Sequence, residues 1–287
     1  MTGMHVADVM TPREDVVTVE LPGTRDDALE YLQERRFSSV PVIKHVDGTE
    51  EFRGLVSRER LIEQPEEDQL ALILEEVPSV TADASIVELS QHMLESGHRR
   101  IPVVDGELEG IVTVTDVIRT LAEGTVPGGE VHVGEVATRE VMTTYEGTPL
   151  PAVQRQMYLA DIPYLVVIEG AGEMVGIVTE VDILEEARVV VGEEATGDSI
   201  AAQDSEWMWE GIKAVGNRYL PTRYVEIPED PVRNYMTADV ETTTKRTKVE
   251  SVAQTMLQAD IEQLPMLSGD DMTGIVRDMD LLRAIHA

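Results

Sequence analysis

The chain contains no cysteine. A disulfide framework, a thiolate metal site and a cysteine nucleophile are therefore excluded. Aromatic residues are nearly as scarce, with two Phe and two Trp among 287 residues. The core must be packed from Val, Ile, Leu, Ala and Met, and an apolar fraction of 42% suffices for small α/β layers. Long hydrophobic runs are missing too. The longest, around Tyr164–Ile168, falls far short of the roughly 20 residues of a membrane span. The first residues, Met1-Thr-Gly-Met-His-Val-Ala-Asp8, lack the basic region and apolar stretch of a signal peptide. A soluble, cytoplasmic protein without a membrane partner is the expectation.

Positive charge is the last scarcity. Asp and Glu number 55 against 23 Lys and Arg, a net charge of −32. Only Lys44, Lys213, Lys245 and Lys248 are lysines. Such a chain repels itself in dilute buffer, and salt screens that repulsion. With no basic stripe to neutralise phosphates, a nucleic-acid partner is not expected. The acid-rich, lysine-poor composition resembles that of proteins from salt-loving archaea; an ordinary acidic protein is the alternative.

What is present is a repeat. Gly110-Ile-Val-Thr-Val-Thr-Asp116 returns as Gly176-Ile-Val-Thr-Glu-Val-Asp182. It returns altered as Gly54-Leu-Val-Ser-Arg-Glu-Arg60 and Gly274-Ile-Val-Arg-Asp-Met-Asp280. Around each copy the pattern predicts strand, helix, strand, strand, helix. Repeat one spans 1–68, repeat two 69–123, repeat three 131–191 and repeat four 231–287. An insert at 192–230 breaks the period. Helices are expected to start at Thr24, Ser85, Thr148 and Thr247, the last with Glu250 as a capping box. The helix from Val181 is expected to reach about Val190. The hairpins carry an apolar-Pro-apolar strand at Pro41, Pro102, Pro163 and Pro265, and Asp47-Gly48 and Asp105-Gly106 mark turns. One repeat of roughly 60 residues buries too little surface to stand alone. Repeat one is therefore expected to pair with two, and three with four.

The Thr-x-x-Asp ending admits two readings. It is a helix N-terminal cap with a carboxylate three positions on. It is also a carboxylate able to accept from both hydroxyls of a ribose, beside a hydroxyl and free N–H groups that suit a phosphate. Four copies do not separate the readings, because a repeat copies its caps as well. Arg277 stands where the Thr is elsewhere, yet Asp280 remains, and Asp278 is an alternative cap. Arg60 replaces the aspartate in repeat one. A cation cannot accept from ribose, so that cleft is expected to be empty or differently used.

These residues resemble the CBS (cystathionine β-synthase) domain, a regulatory module that works in tandem pairs called Bateman modules. The resemblance rests on the Val-x-x-x-Met/Ala-Thr start, the helix after it, the apolar-Pro-apolar strand and Gly-apolar-apolar-Thr/Ser-x-x-Asp, and covers nearly everything outside the insert. It implies a mixed α/β fold of four β-α-β-β-α repeats in two Bateman modules forming a disc, within one chain or between chains as a homodimer. It also implies clefts that bind adenosine compounds: AMP, ADP, ATP or S-adenosylmethionine. Each cleft would join one repeat's Thr-x-x-Asp to the lead-in and second strand of its partner. Thr113, Thr115 and Asp116 would meet Thr11 and Ser38-Ser39-Val40. Thr179 and Asp182 would meet Thr237 and Gln263-Leu264. Arg277 and Asp280 would meet Thr138 and Ile162. Ile111, Ile177 and Ile275 would hold the purine. In His98-Arg99-Arg100, the family places basic residues that face phosphates; a solvated helix end is the other reading. Three aspartates and one arginine over four repeats are similar in architecture to the gamma subunit of AMP-activated protein kinase.

The histidines have no ligand spacing, so no metal is expected. There is no Ser-His-Asp pattern, phosphate-binding Gly-rich loop or carboxylate pair with a role, so no enzyme is expected. A sensor that signals to a regulated protein is the leading reading. A ligand-free scaffold, or a subunit controlling a transporter or biosynthetic enzyme, is the alternative. In the insert, Trp207, Met208, Ile212 and Val215 share one face of a helix expected over 204–215. That face either packs on its own domain or docks a partner.

Overall fold

Repeat two forms its elements from local signals. In this computed structural model, which describes residues 3–34, 39–57, 60–61, 64, 67–186, 188–194 and 220–287, Ser85 caps the helix Ile86–Ser96. Its hydroxyl accepts from the Glu88 N–H at 3.2 Å, and the Glu88 carboxylate accepts from the Ser85 N–H at 2.9 Å. These bonds hold the Glu88 carboxyl below its ordinary range. Ile86, Leu89 and Met93 fall on one buried face, and Gly97, at φ 75°, ends the helix. An antiparallel hairpin follows, Arg100–Asp105 and Glu107–Thr113, then the helix Val114–Ala122.

The other repeats follow the same order. We number the strands β1 Thr11–Pro12, β2 Val19–Glu20, β3 Ser39–Val46, β4 Thr49–Ser57, β5 Arg100–Asp105, β6 Glu107–Thr113, β7 Thr143–Tyr145, β8 Tyr164–Ile168, β9 Met174–Thr179, β10 Arg188–Glu194, β11 Leu220–Glu226, β12 Gln263–Ser268 and β13 Asp271–Arg277. The helices are α1 Arg25–Glu34, α2 Ile86–Ser96, α3 Val114–Ala122, α4 Val133–Val136, α5 Leu150–Ala160, α6 Glu180–Glu186, α7 Val249–Ala259 and α8 Asp278–Leu281, which continues as a 3-10 turn over Leu282–His286. Short sheets β2-β3-β4, β1-β6-β5, β7-β8-β9 and β12-β13 each carry one hairpin.

The repeats trade their lead-in segments. Ile86 N, at the start of α2, donates to Met4 O of repeat one, and Arg25 N, at the start of α1, donates to Asp68 O. Leu150 N donates to Asp230 O, and Val249 N to Val131 O. Farther along, Thr11 pairs with Ile111, Glu75 with Leu55, Thr237 with Ile177 and Thr138 with Ile275. The apolar residues follow the backbone. Val6 of repeat one lies in repeat two's core, Leu70 and Ile73 in repeat one's, and Val232 in repeat three's. Repeats one and two, and three and four, are therefore the pairs.

This exchange explains the motif glycine. A Cβ on Gly110 would lie 2.4 Å from Thr11 O, and one on Gly176 or Gly274 would lie 2.7 Å from Thr237 O or Thr138 O. A real Cβ does not come that close to a carbonyl oxygen, so the lead-in can pair only with a glycine.

The two modules meet inside one chain. Val117, Ile118 and Leu121 of α3 share a core with Val252, Ala253 and Met256 of α7 and with Leu281, Leu282 and Ile285. Gln254 Nε2 donates to Ala122 O at 3.0 Å. An ion cluster closes the seam: Arg99, at the head of β5, pairs with Asp278 and Glu262 of repeat four. Asp278 is 5% exposed. Burial pushes its carboxyl up, and Arg99 opposes that shift.

Several expected boundaries move. Thr148 and Thr247 do not cap. The N-cap positions are Pro149 and Lys248, without a side-chain bond. The exchanged backbone already serves these helix starts, since Glu250 N reaches Gly129 O as well. The helix expected to reach Val190 ends at Glu186, and Arg188–Glu194 pairs with Leu220–Glu226 instead; a run of three valines favours strand. Pro163 is not the counterpart of Pro102. By strand register Pro102 opposes Ile111 and Val166 opposes Ile177, so Val166 holds that place. The helix expected over 204–215, with Trp207 and Trp209, lies outside the described residues.

Two substitutions probe this architecture. Gly110→Ala should force Thr11 away and cost about 2 kcal/mol, read from chemical denaturation. Arg99→Ala should cost about 3 kcal/mol, because Asp278 is left buried and unpaired. Adding Asp278→Asn should restore most of that loss; a purely additive double mutant would contradict the pairing.

Candidate functional site

Strand alternation decides which residues face the space between paired hairpins. Ile101, Val103 and Val112 belong to the helix-covered core. Arg100, Pro102, Ile111 and Thr113 therefore lie on the opposite face of β5 and β6. The same parity puts Ser39, Leu55 and Ser57 on that face in repeat one, Tyr164, Val166, Ile177 and Thr179 in repeat three, and Gln263, Ile275 and Arg277 in repeat four. The faces meet. Arg100 Nη1 donates to Ser39 O at 3.1 Å. Tyr164, Val166, Ile177 and Ile275 form one buried cluster across repeats three and four.

The lead-in pairing brings the expected residues to these clefts. Thr11 lies beside Ile111, Thr237 beside Ile177, and Thr138 beside Ile275. Thr115 is exposed on the first turn of α3. In the repeat-one cleft Arg60 N donates to Ser57 Oγ at 3.2 Å. Ser38 lies outside the described residues.

The three aspartates share one position and differ in what they have left to offer. Asp116 Oδ2 accepts from Thr113 N at 2.9 Å and Oγ1 at 2.7 Å, and Oδ1 accepts from Arg119 at 2.9 Å. Asp182 Oδ2 accepts from Thr179 N at 2.7 Å and Oγ1 at 2.8 Å. Both Thr residues are thus caps and cleft residues at once. Asp280 differs. Its Oδ2 accepts from Arg277 N at 3.0 Å and Nε at 3.1 Å. Its Oδ1 accepts from Arg277 Nη2 at 3.2 Å and lies 3.2 Å from Arg283 Nη1. Asp280 is 0% exposed. A carboxylate has about four lone-pair sites; Arg277 takes three of these by hydrogen bonds, and Arg283, whose Nη1 donates to Val136 O at 3.1 Å, adds an ion pair. Arg277 has no acceptor for the Asp280 N–H that a Thr would take, and Asp278 Oδ1 accepts a different one, from Met279 N at 2.6 Å. The carboxylate of Asp280 holds the Arg277 guanidinium firmly protonated.

Three expected neighbours are placed differently, with Val40 and Leu264 lying in the cores of repeats one and four. Ile162 packs in repeat three's own core. The cleft position beside Arg277 and Asp280 belongs to Tyr164, 4% exposed, whose phenol is pushed up by burial. Counting back from the motif Thr along the hairpin register would have found it. Of the three cations 98–100, Arg99 is engaged by Asp278 and Glu262, and His98 Nδ1 stands 3.8 Å from Glu75. Arg100 alone of the three reaches a cleft residue. Among the described residues there is no cluster of His, Asp or Glu able to hold a metal ion, and no helix long and apolar enough to cross a membrane.

A family model described as the CBS domain matches residues 6–67, 71–123, 133–188 and 232–287. The chain belongs to the CBS domain family. An uncharacterized protein of Methanocaldococcus jannaschii, MJ1404, is 27% identical over 287 residues, which are 99% of this chain and 62% of that protein. This CBS protein thus spans less than two thirds of that relative's length. The crystal structure of an uncharacterized conserved protein from Pyrococcus horikoshii superposes with a TM-score of 0.67 at 29% identity, over 98% of this chain and all of that one. Protein MJ1225 from M. jannaschii, described as a candidate archaeal homologue of g-AMPK, gives 0.74 at 21% identity over 98% and 99%, a likeness of fold.

The cap contacts predict a ligand-independent cost. Without ligand, Asp116→Ala and Asp182→Ala should each lose about 1 kcal/mol of stability, as cap removals do. Asp280→Ala should lose about 3 kcal/mol, as a broken buried ion pair does. Equal losses at all three positions would contradict the geometry.

Proposed function

We propose that this CBS protein is a non-catalytic sensor. It binds adenosine-containing ligands of the AMP, ADP, ATP or S-adenosylmethionine type between paired repeats and signals to a partner protein. The observation carrying this reading is the Asp182 cleft. There, among the described residues, the contacts of the carboxylate go to Thr179 through Oδ2, which leaves Oδ1 for the hydroxyls of a ribose. Ile177 offers an apolar wall, and Thr179 and Thr237 offer hydroxyls. The Asp116 cleft repeats the arrangement with Thr11, Ser39 and Arg100, where Arg119 takes one lone pair. A ligand spanning two repeats would favour one relative angle of the hairpins, and a partner that prefers that angle would read it.

A scaffold without ligands is the second reading. The direct packing of Tyr164 and Val166 on Ile275 favours it, since those side chains already fill part of module two.

Calorimetry with AMP, ADP, ATP and S-adenosylmethionine in high salt separates the two. The sensor reading expects binding that Asp182→Ala and Asp116→Ala weaken at least tenfold and Arg60→Ala leaves nearly unchanged. No binding by any of the four would sink it. A net charge of −32 further supports work in concentrated salt. The melting temperature should climb from dilute buffer to molar KCl; a flat or falling curve would reject that part.

A further inference from the structure

We propose that Arg277 is a built-in ligand of the fourth cleft, holding Asp280 closed to ribose, so that the chain has two ribose-accepting clefts, at Asp116 and Asp182. This rests on the sensor reading for the kind of ligand, but the closing contact stands on geometry alone. The Arg277 guanidinium presents Nε to Oδ2 and Nη2 to Oδ1 of Asp280. That is a two-pronged approach to both carboxylate oxygens, and it occupies on Oδ1 a site that a ribose hydroxyl would need. Arg277 N takes a third site, and Arg283 adds an ion pair, its Nη1 lying 3.2 Å from Oδ1. A diol arriving at Asp280 must therefore displace a charged donor with a neutral one, in a place with no exposed carboxylate surface. Tyr164 stands beside the pair and is itself buried.

The neighbouring copies show what one side chain changes. Asp116 and Asp280 each have an arginine three residues on, Arg119 and Arg283, ion-paired with Oδ1. Each accepts the backbone N–H of the residue three before through Oδ2. The difference is Thr113 against Arg277. Thr contributes one hydroxyl to Oδ2, whereas Arg takes a site on each oxygen. Arg277→Thr would release the Oδ1 site that Arg277 Nη2 occupies, leaving Arg283 as the ion-pair partner of that oxygen.

The test counts equivalents bound by the full chain, using AMP and S-adenosylmethionine as probes in equilibrium dialysis. Wild type should bind two per chain, Arg277→Thr three, and Asp280→Ala two. Arg277→Met serves if the Thr variant melts early, and should likewise add one. Wild type binding three, Asp280→Ala losing one, or a folded Arg277 variant adding none would overturn the proposal. Wild type binding none would remove the sensor reading, and the increment in the Arg277 variant would still decide this one: a gain of one supports it, and no gain rejects it.

Discussion

The fold depends on an exchange of backbone. Each repeat's first helix begins where the stretch leading into its partner supplies a carbonyl, as Met4 O, Asp68 O, Asp230 O and Val131 O do; Asp68 and Asp230 lie one residue before the expected starts of repeats two and four. Each third strand then takes the far end of the same lead-in along its glycine side. An isolated repeat would lose its helix-start acceptor and an edge partner together, besides a core residue such as Val6 or Val232. Pairing is therefore a condition of forming the repeat rather than a later docking event. The same exchange puts a partner's Thr11, Thr237 or Thr138 on the floor of each cleft, so a cleft is built from two repeats by construction.

That constraint also marks what could be read in advance. The order of elements and the pairing of repeats were legible, because hydrophobic periodicity and the motif glycine recur in sequence. Ser85 was legible as a cap because its partner Glu88 is three residues away. Thr148 and Thr247 looked alike in sequence yet do not cap, because the acceptors for those helix starts come from Asp230 and Val131, distant in the chain. The extent of β10 was missed for a related reason. Its partner strand begins at Leu220, and a run of valines next to a helix gives no hint of where that partner lies.

In the clefts, identity was legible and availability was not. The positions of Asp116, Asp182 and Asp280 follow from one repeated motif. Whether each has a lone pair left depends on a residue at the N-cap and on another three positions later. Arg277 in place of Thr signalled a departure. Its consequence needed the guanidinium's path to both oxygens. Tyr164 was hidden by a register error: aligning on proline set repeat three three residues off, whereas the hairpin pairing sets Tyr164 opposite Thr179 as it sets Arg100 opposite Thr113.

Arg99 and Arg100 are adjacent and reach opposite ways. Arg100 holds the Ser39 backbone inside module one, and Arg99 holds Asp278 and Glu262 in module two. Asp278 in turn sits between Arg277 and Asp280 in sequence, at the start of α8. Adjacent residues of the chain thus carry a contact between β5 and β3 and a contact across the seam between modules. Dissolved salt screens exposed charges strongly and buried ones little. In a chain of net charge −32, the Arg99–Asp278 pair, with Asp278 buried, is thus an electrostatic contact that keeps more of its strength than exposed ones where surface repulsion is screened away. Concentrated salt would relax the acidic surface without loosening the joint, and the apolar seam of α3 against α7 would tighten with it.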